Sequence, residues 1–190
     1  MKTAKIVRIL TLPQIMAFAL LTILFFTGNA VEFTLSHYIL GVVFLTVLPL
    51  VAYPIAWAFG KKSDSHSRER TFAIIFCIAG YIGSVVMSVF FGGNAYEQAV
   101  FLCYLFSGIL TALLSFVFKR KSSGHAGGVS GVITVLAHHF GLWALFGLAV
   151  LAAAYWCSLK LKRHDLPQLL CGTAVPIVSY IISLLIAGII

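Results

Sequence analysis

Six stretches of this sequence are apolar and free of charged side chains over lengths that match a lipid bilayer, and that narrows the fold more than anything else in the chain. A helix needs about 20 consecutive, mostly apolar residues to cross the hydrocarbon core. Residues 9–28, 38–59, 71–93, 99–118 and 166–190 meet that length, and 126–157 is longer still. Lipid offers the backbone no hydrogen-bonding partner, so a spanning segment must satisfy its own peptide groups, and long uninterrupted apolar runs do so as helices. The expected fold is therefore all-α, a polytopic transmembrane helical bundle in which residues 1–190 form a single integral membrane domain. A hydrophobic fraction of 61% against 9% charged excludes an ordinary soluble domain.

The first run lacks a small-residue cleavage site and is long enough to span, so it is read as a retained helix. Pro13, Pro49 and Pro54 fall inside spans and are expected to kink them. Cys77, Cys103, Cys157 and Cys171 lie in or at the ends of apolar runs without CxxC spacing. That pattern indicates buried free thiols, with no disulfide framework and no metal site. No cofactor is expected either.

A formal net charge of +8 points to an anionic partner, either nucleic acid or lipid headgroups. The placement of the charge decides for the membrane and against nucleic acid. Cations occur only at 2–8, 61–70, 119–121 and 160–163, whereas the connectors near 28–37 and 93–98 carry only Glu32 and Glu97. Counting passes from the N-terminus puts the first three cationic segments on one face, side A, and both glutamates on the other, side B. Residues 126–157 settle the fourth. If they fold back at His138-His139-Phe140-Gly141, the cations at 160–163 also reach side A and the bundle has about seven helices. If they cross once, it has six and the pattern breaks. The hairpin is the preferred reading. By the positive-inside rule side A then faces the cytoplasm, on the vote of Lys2, Lys5 and Arg8, and a bacterial-type cytoplasmic (inner) membrane is the expected location.

Each of the three later side A segments joins cations to a histidine: His66 in 60–70, His125 in 119–128 and His164 in 157–168. Ser122-Ser123-Gly124-His125 precedes a helix starting near Ala126, so hydroxyls and free backbone N–H groups would gather at a helix N-terminus, a setting that binds anions. With lysines and arginines converging from three loops, the best-matched ligand is a phosphate or diphosphate. His125 and His164 become the candidates for nucleophile and general acid.

These residues resemble the type 2 phosphatidic acid phosphatases, which share a fold with vanadium haloperoxidases and glucose-phosphate phosphatases and carry the motifs K-x6-RP, PSGH and SR-x5-H-x3-D. Lys61 and Arg68 have the first spacing, with Glu69 in place of the proline and Arg70 as a second arginine. Ser122-Ser123-Gly124-His125 is similar to PSGH. His164 is followed at the required distance by Gln168, an amide where the family has aspartate, and then by Gly172. Cys157 and Ser158 stand where the family has Ser-Arg. The resemblance covers about 61–172.

It implies a haloperoxidase-like core and a metal-independent lipid phosphatase. His164 would attack phosphorus, Gln168 would hold its ring, and His125 would protonate the leaving oxygen. Lys61, Arg68, Arg70, Ser123 and Gly124 would cradle the phosphoryl oxygens, with Lys160 or Lys162 substituting for the missing arginine. The implied partners are a lipid phosphate substrate (phosphatidate, phosphatidylglycerol phosphate or polyprenyl diphosphate) and the bilayer lipids; oligomeric state is left open.

Two other classes compete. A non-catalytic phospholipid-binding or transport homologue is favoured by the loss of arginine at Ser158. Gly128-Val129-Ser130-Gly131 resembles the nucleophile motif of rhomboid intramembrane proteases, although a small-residue helix contact explains it more simply. His37, His66, His138 and His139 are read as structural, and Trp57, Trp143 and Trp156 as interface anchors.

Overall fold

The computed structural model describes residues 2–27, 33–59, 65–119 and 121–190, and every regular element among them is helical. In chain order these are α1 (Lys2–Leu10), α2 (Pro13–Thr27), α3 (Leu35–Val42), α4 (Leu48–Phe59), α5 (Ser65–Phe90), α6 (Ala95–Phe116), α7 (Gly124–Phe140), α8 (Gly147–Lys160) and α9 (Leu166–Ile186). Five apolar helical stretches are long enough to cross a membrane, and a sixth arises if α1 and α2 count together. Large apolar side chains such as Phe26, Ile82, Val86, Leu113 and Ile181 point outward. A belt of that size in water would drive aggregation, whereas lipid solvates it.

The first cationic segment is itself a helix. α1 turns Ala4 inward, leaves Ile6, Ile9 and Leu10 exposed, and packs against α8. It meets α2 at a 50° bend. Pro13 lies just past that bend at the first position of α2, where its missing N–H costs nothing. Pro49 is accommodated differently. A π-helical turn, Val43–Val47, joins α3 to α4, with the Leu48 N–H reaching back to Val43 O, and the widened turn absorbs the bond that proline cannot make.

Side B is closed by polar contacts buried within the bundle. α5 ends with the Gly93 N–H donating to Ser88 O and Gly92 in the left-handed region at φ +75°, a Schellman-type stop. Asn94 then caps α6 by accepting from the Glu97 N–H at 2.9 Å. Glu97 is fully buried, and its Oε2 lies 2.8 Å from Nδ1 of His37. An ionisable group at this depth needs such a partner, so His37 locks α3 to α6.

Residues 124–160 do fold back. Gly141, at φ +60° and ψ −135°, ends α7, and the chain returns through a 3₁₀ turn, Gly141–Phe146. A Cβ added to Gly147 would lie 2.6 Å from Cγ1 of Ile133. A straight helix would hold those two residues about 20 Å apart. His138 and His139 occupy the last turn of α7, their rings packed against Tyr96, and His138 also against Tyr180.

The core runs through Leu20, Leu21, Leu24, Phe101, Val135 and Leu184. α9 packs on both α6 and α7. Its fully buried Ser179 and Ser183 donate to Val175 O and Ser179 O within their own helix, so these small residues let neighbours approach closely at no hydrogen-bonding cost.

Candidate active site

Three helix ends converge on side A. Ser123 is the N-cap of α7: its Oγ accepts from the Ala126 N–H at 3.4 Å, which leaves its hydroxyl proton to donate elsewhere. Its own N–H donates to Gln168 O at 3.0 Å, bonding the start of α7 to the first turn of α9. The approach depends on Gly172, where an added Cβ would sit 2.4 Å from Ser123 O.

Asp165 caps α9, its Oδ1 accepting from the Gln168 N–H at 2.9 Å. Gln168 reaches two partners. Its Oε1 lies 2.8 Å from Nδ1 of His164, and its Nε2 donates to Asp165 Oδ2 at 3.1 Å.

His125, in the first turn of α7, is buried, with Nδ1 3.0 Å from the backbone oxygen of Thr11 at the α1–α2 bend. A carbonyl only accepts, so Nδ1 carries the proton and Nε2 is the remaining position. The charge of Arg8 reaches this ring. His125 follows Ser123 by two residues and His164 precedes Gln168 by four, so the Ser123 N–H to Gln168 O bond puts the two imidazoles at one end of the bundle.

α8 ends in a second Schellman stop: the Arg163 N–H donates to Ser158 O and the Lys162 N–H to Leu159 O, with Lys162 at φ +51°. That position suits glycine; lysine there costs roughly 1 kcal/mol. Lys162 nevertheless lines an open depression of about 390 Å³ together with Leu159, Arg163, His164, Asp165 and Gln168. Lys162→Gly is therefore expected to raise the stability of the detergent-solubilised protein by about 1 kcal/mol while weakening orthovanadate binding, both readable in one thermal-shift titration. A variant less stable than wild type would show that the turn carries no strain.

The remaining motif residues are distributed unevenly. His164 and Gln168 line the depression, whereas His125 lies outside its lining. Lys160 is outside the lining, its ammonium 4.7 Å over the Trp156 ring, so among the described residues the cations at the depression are Lys162 and Arg163. Ser158, where the resemblance calls for arginine, has no solvent exposure, which leaves no room for so long a side chain without repacking. Lys61 lies outside the described residues, as do the side chains of Arg68 and Arg70. The backbone of α5 that bears those arginines starts at the end of the bundle where α6 finishes. Gly124 opens α7, and a Cβ added there would meet Pro13 Cγ at 3.7 Å. Among the described residues, no cluster of three His, Cys, Asp or Glu side chains is placed to hold a metal ion.

Ser130 faces α9, and its hydroxyl is directed at Gly127 O and Thr173 O, each at 3.2 Å. A hydroxyl whose proton goes to carbonyl oxygens has no base to activate it. Ser130→Ala is accordingly expected to change stability by no more than about 1 kcal/mol and phosphate release by less than twofold. A larger loss of release would give the serine a chemical role.

Three contributors escaped the sequence reading. Thr11 and Arg8 could be found only once α1 was placed against α8 and the α1–α2 bend against the start of α7. Asp165 left a signal, since an Asp-x-x-Gln spacing before an apolar run marks a helix start. Comparison of the chain with protein-family models, with curated proteins and with solved structures gives no match.

Proposed function

We propose that this chain is a multi-pass lipid phosphatase of the cytoplasmic (inner) membrane, hydrolysing a lipid phosphate or diphosphate through a phosphohistidine, with α7 and α8 as separate passes that bring the bundle to seven. The observation that carries the reading is the 3.0 Å bond from the Ser123 N–H to Gln168 O, which ties the serine-glycine-histidine segment to the histidine-glutamine segment at one end of the bundle. His164 has its Nδ1 engaged by Gln168 Oε1, so Nε2 presents the lone pair that attacks phosphorus. The ester P–O bond breaks as the P–N bond forms; His125 enters the step as the imidazolium, with Nδ1–H held by Thr11 O and a second proton taken from solvent on Nε2, and gives that Nε2 proton to the departing oxygen. Water, deprotonated by the same imidazole, then cleaves the P–N bond and releases phosphate.

The charge developing on the phosphoryl oxygens is met by Lys162 and Arg163 at the depression and by the N–H groups that open α7. Side A cations from 61–70 would add to them. The lipid tail has an apolar crevice of about 230 Å³ between α5 and α6, bounded by Ile78, Ile109, Ala112, Leu113, Phe116 and Val117.

The test is phosphate release by the purified protein in lipid nanodiscs, against phosphatidate, phosphatidylglycerol phosphate and polyprenyl diphosphate, with and without orthovanadate. Vanadate-sensitive release supports the reading. Binding of these lipids with no release would instead leave a phospholipid-binding homologue, the alternative that Ser158 favours.

A further inference from the structure

We propose that Asp165 is a positioning residue for His164: its carboxylate fixes which way the Gln168 amide points, and the amide fixes which ring nitrogen of His164 carries the proton. The phosphatase reading enters only in the use to which the other nitrogen is put.

The two ends of a glutamine amide have nearly the same shape, and only their partners distinguish them. Gln168 stands at the N3 position of α9, three residues after the Asp165 N-cap, the spacing of a capping box. In that box the side chain at N3 folds back to the N-cap N–H. Here it does not. Asp165 uses Oδ1 for the cap, accepting from the Gln168 N–H at 2.9 Å, and has Oδ2 left for the Gln168 side chain at 3.1 Å. A carboxylate only accepts, so the amide nitrogen must face Asp165 and the amide oxygen must face the ring, 2.8 Å from Nδ1. That oxygen also only accepts, so the proton sits on Nδ1. Nε2 keeps its lone pair.

Without Oδ2 to hold it, the amide can turn over. Its NH₂ would then donate to Nδ1 and move the ring proton to Nε2, the tautomer that cannot attack an electrophile from that atom. A neutral amide with an acidic residue behind it thus does what a carboxylate directly behind the imidazole would do. All three side chains border the depression.

The experiment reads the His164 tautomer from the ¹⁵N signals of its ring, in the full chain in nanodiscs, for wild type, Asp165→Ser and Asp165→Asn, with phosphate release measured alongside. Serine keeps a capping oxygen and loses Oδ2; asparagine keeps the capping oxygen and presents a donor where Oδ2 was. Wild type should show the proton on Nδ1. Asp165→Ser should show a mixture, with kcat lowered about threefold to tenfold and KM unchanged. Asp165→Asn should turn Gln168 over, shift the proton to Nε2 and lower kcat by at least about tenfold. If the Gln168 backbone signal shows the start of α9 lost in the serine variant, the asparagine variant carries the test. A wild-type tautomer in Asp165→Asn overturns the proposal. Should wild type release no more phosphate than His164→Ala, the phosphatase reading fails while the ring signals still decide the role of Asp165.

Discussion

His164→Ala is expected to lower phosphate release by about 10⁴-fold or more, the scale of loss that follows deletion of a covalent nucleophile. Its ring is the one whose Nδ1 is engaged by Gln168 at the depression, and alanine leaves no atom within bonding distance of phosphorus to replace Nε2. The other imidazole cannot substitute, because His125 is buried and lies outside the lining of the depression. Folding should survive the change. His164 lies on a partly exposed turn between α8 and α9, so the unfolding midpoint in detergent is expected to stay within about 0.5 kcal/mol of wild type. Equal release by the variant and the wild type would end the phosphatase reading.

A second large effect is expected at a residue with no chemistry of its own. Gly172→Ala puts a methyl group 2.4 Å from Ser123 O and 3.0 Å from Ser123 N, distances at which backbone rather than a flexible side chain must yield. Overpacking of this kind costs roughly 1–3 kcal/mol. The displacement falls on the contact that joins α7 to α9, so the Ser123 N–H to Gln168 O bond should lengthen or break. Catalytic groups misplaced by about 1 Å lose on the order of 10²-fold in rate. The unfolding midpoint and phosphate release should therefore fall together. Gly124→Ala serves as the stability control, since its Cβ would meet only Pro13 Cγ at an ordinary 3.7 Å. A Gly172→Ala protein with a wild-type midpoint and a protected Ser123 amide would show that the close approach is dispensable.

How much of this was legible in the chain differs from feature to feature. The apolar runs were, because hydropathy accumulates over whole segments and needs no knowledge of neighbours. Gly141 as a reversal point was legible too, from a glycine beside polar residues inside a run whose length allows one pass or two, and from the single face that a reversal there gives to the cations. The turn after α8 was not: Lys162 adopts a glycine-like backbone angle that its residue type argues against. Lys160 was expected at the phosphate, yet its ammonium sits over Trp156, because one step around a helix decides which way a side chain faces. The buried pair of His37 and Glu97 joins residues far apart in sequence and left no local trace.

The sequence by itself determined that the chain is helical, with several stretches long and apolar enough to cross a membrane, and that property follows from composition and spacing along the chain. The order of its serine, glycine, histidine and glutamine residues points to phosphoryl chemistry only through the resemblance to the type 2 phosphatidic acid phosphatases. Only the tertiary structure decided that the backbone oxygen of Thr11 grips His125, that Gly172 admits Ser123, and that Gln168 turns its oxygen toward His164. Each depends on the register in which packed helices meet, and register is set by many weak contacts across the bundle rather than by any one residue.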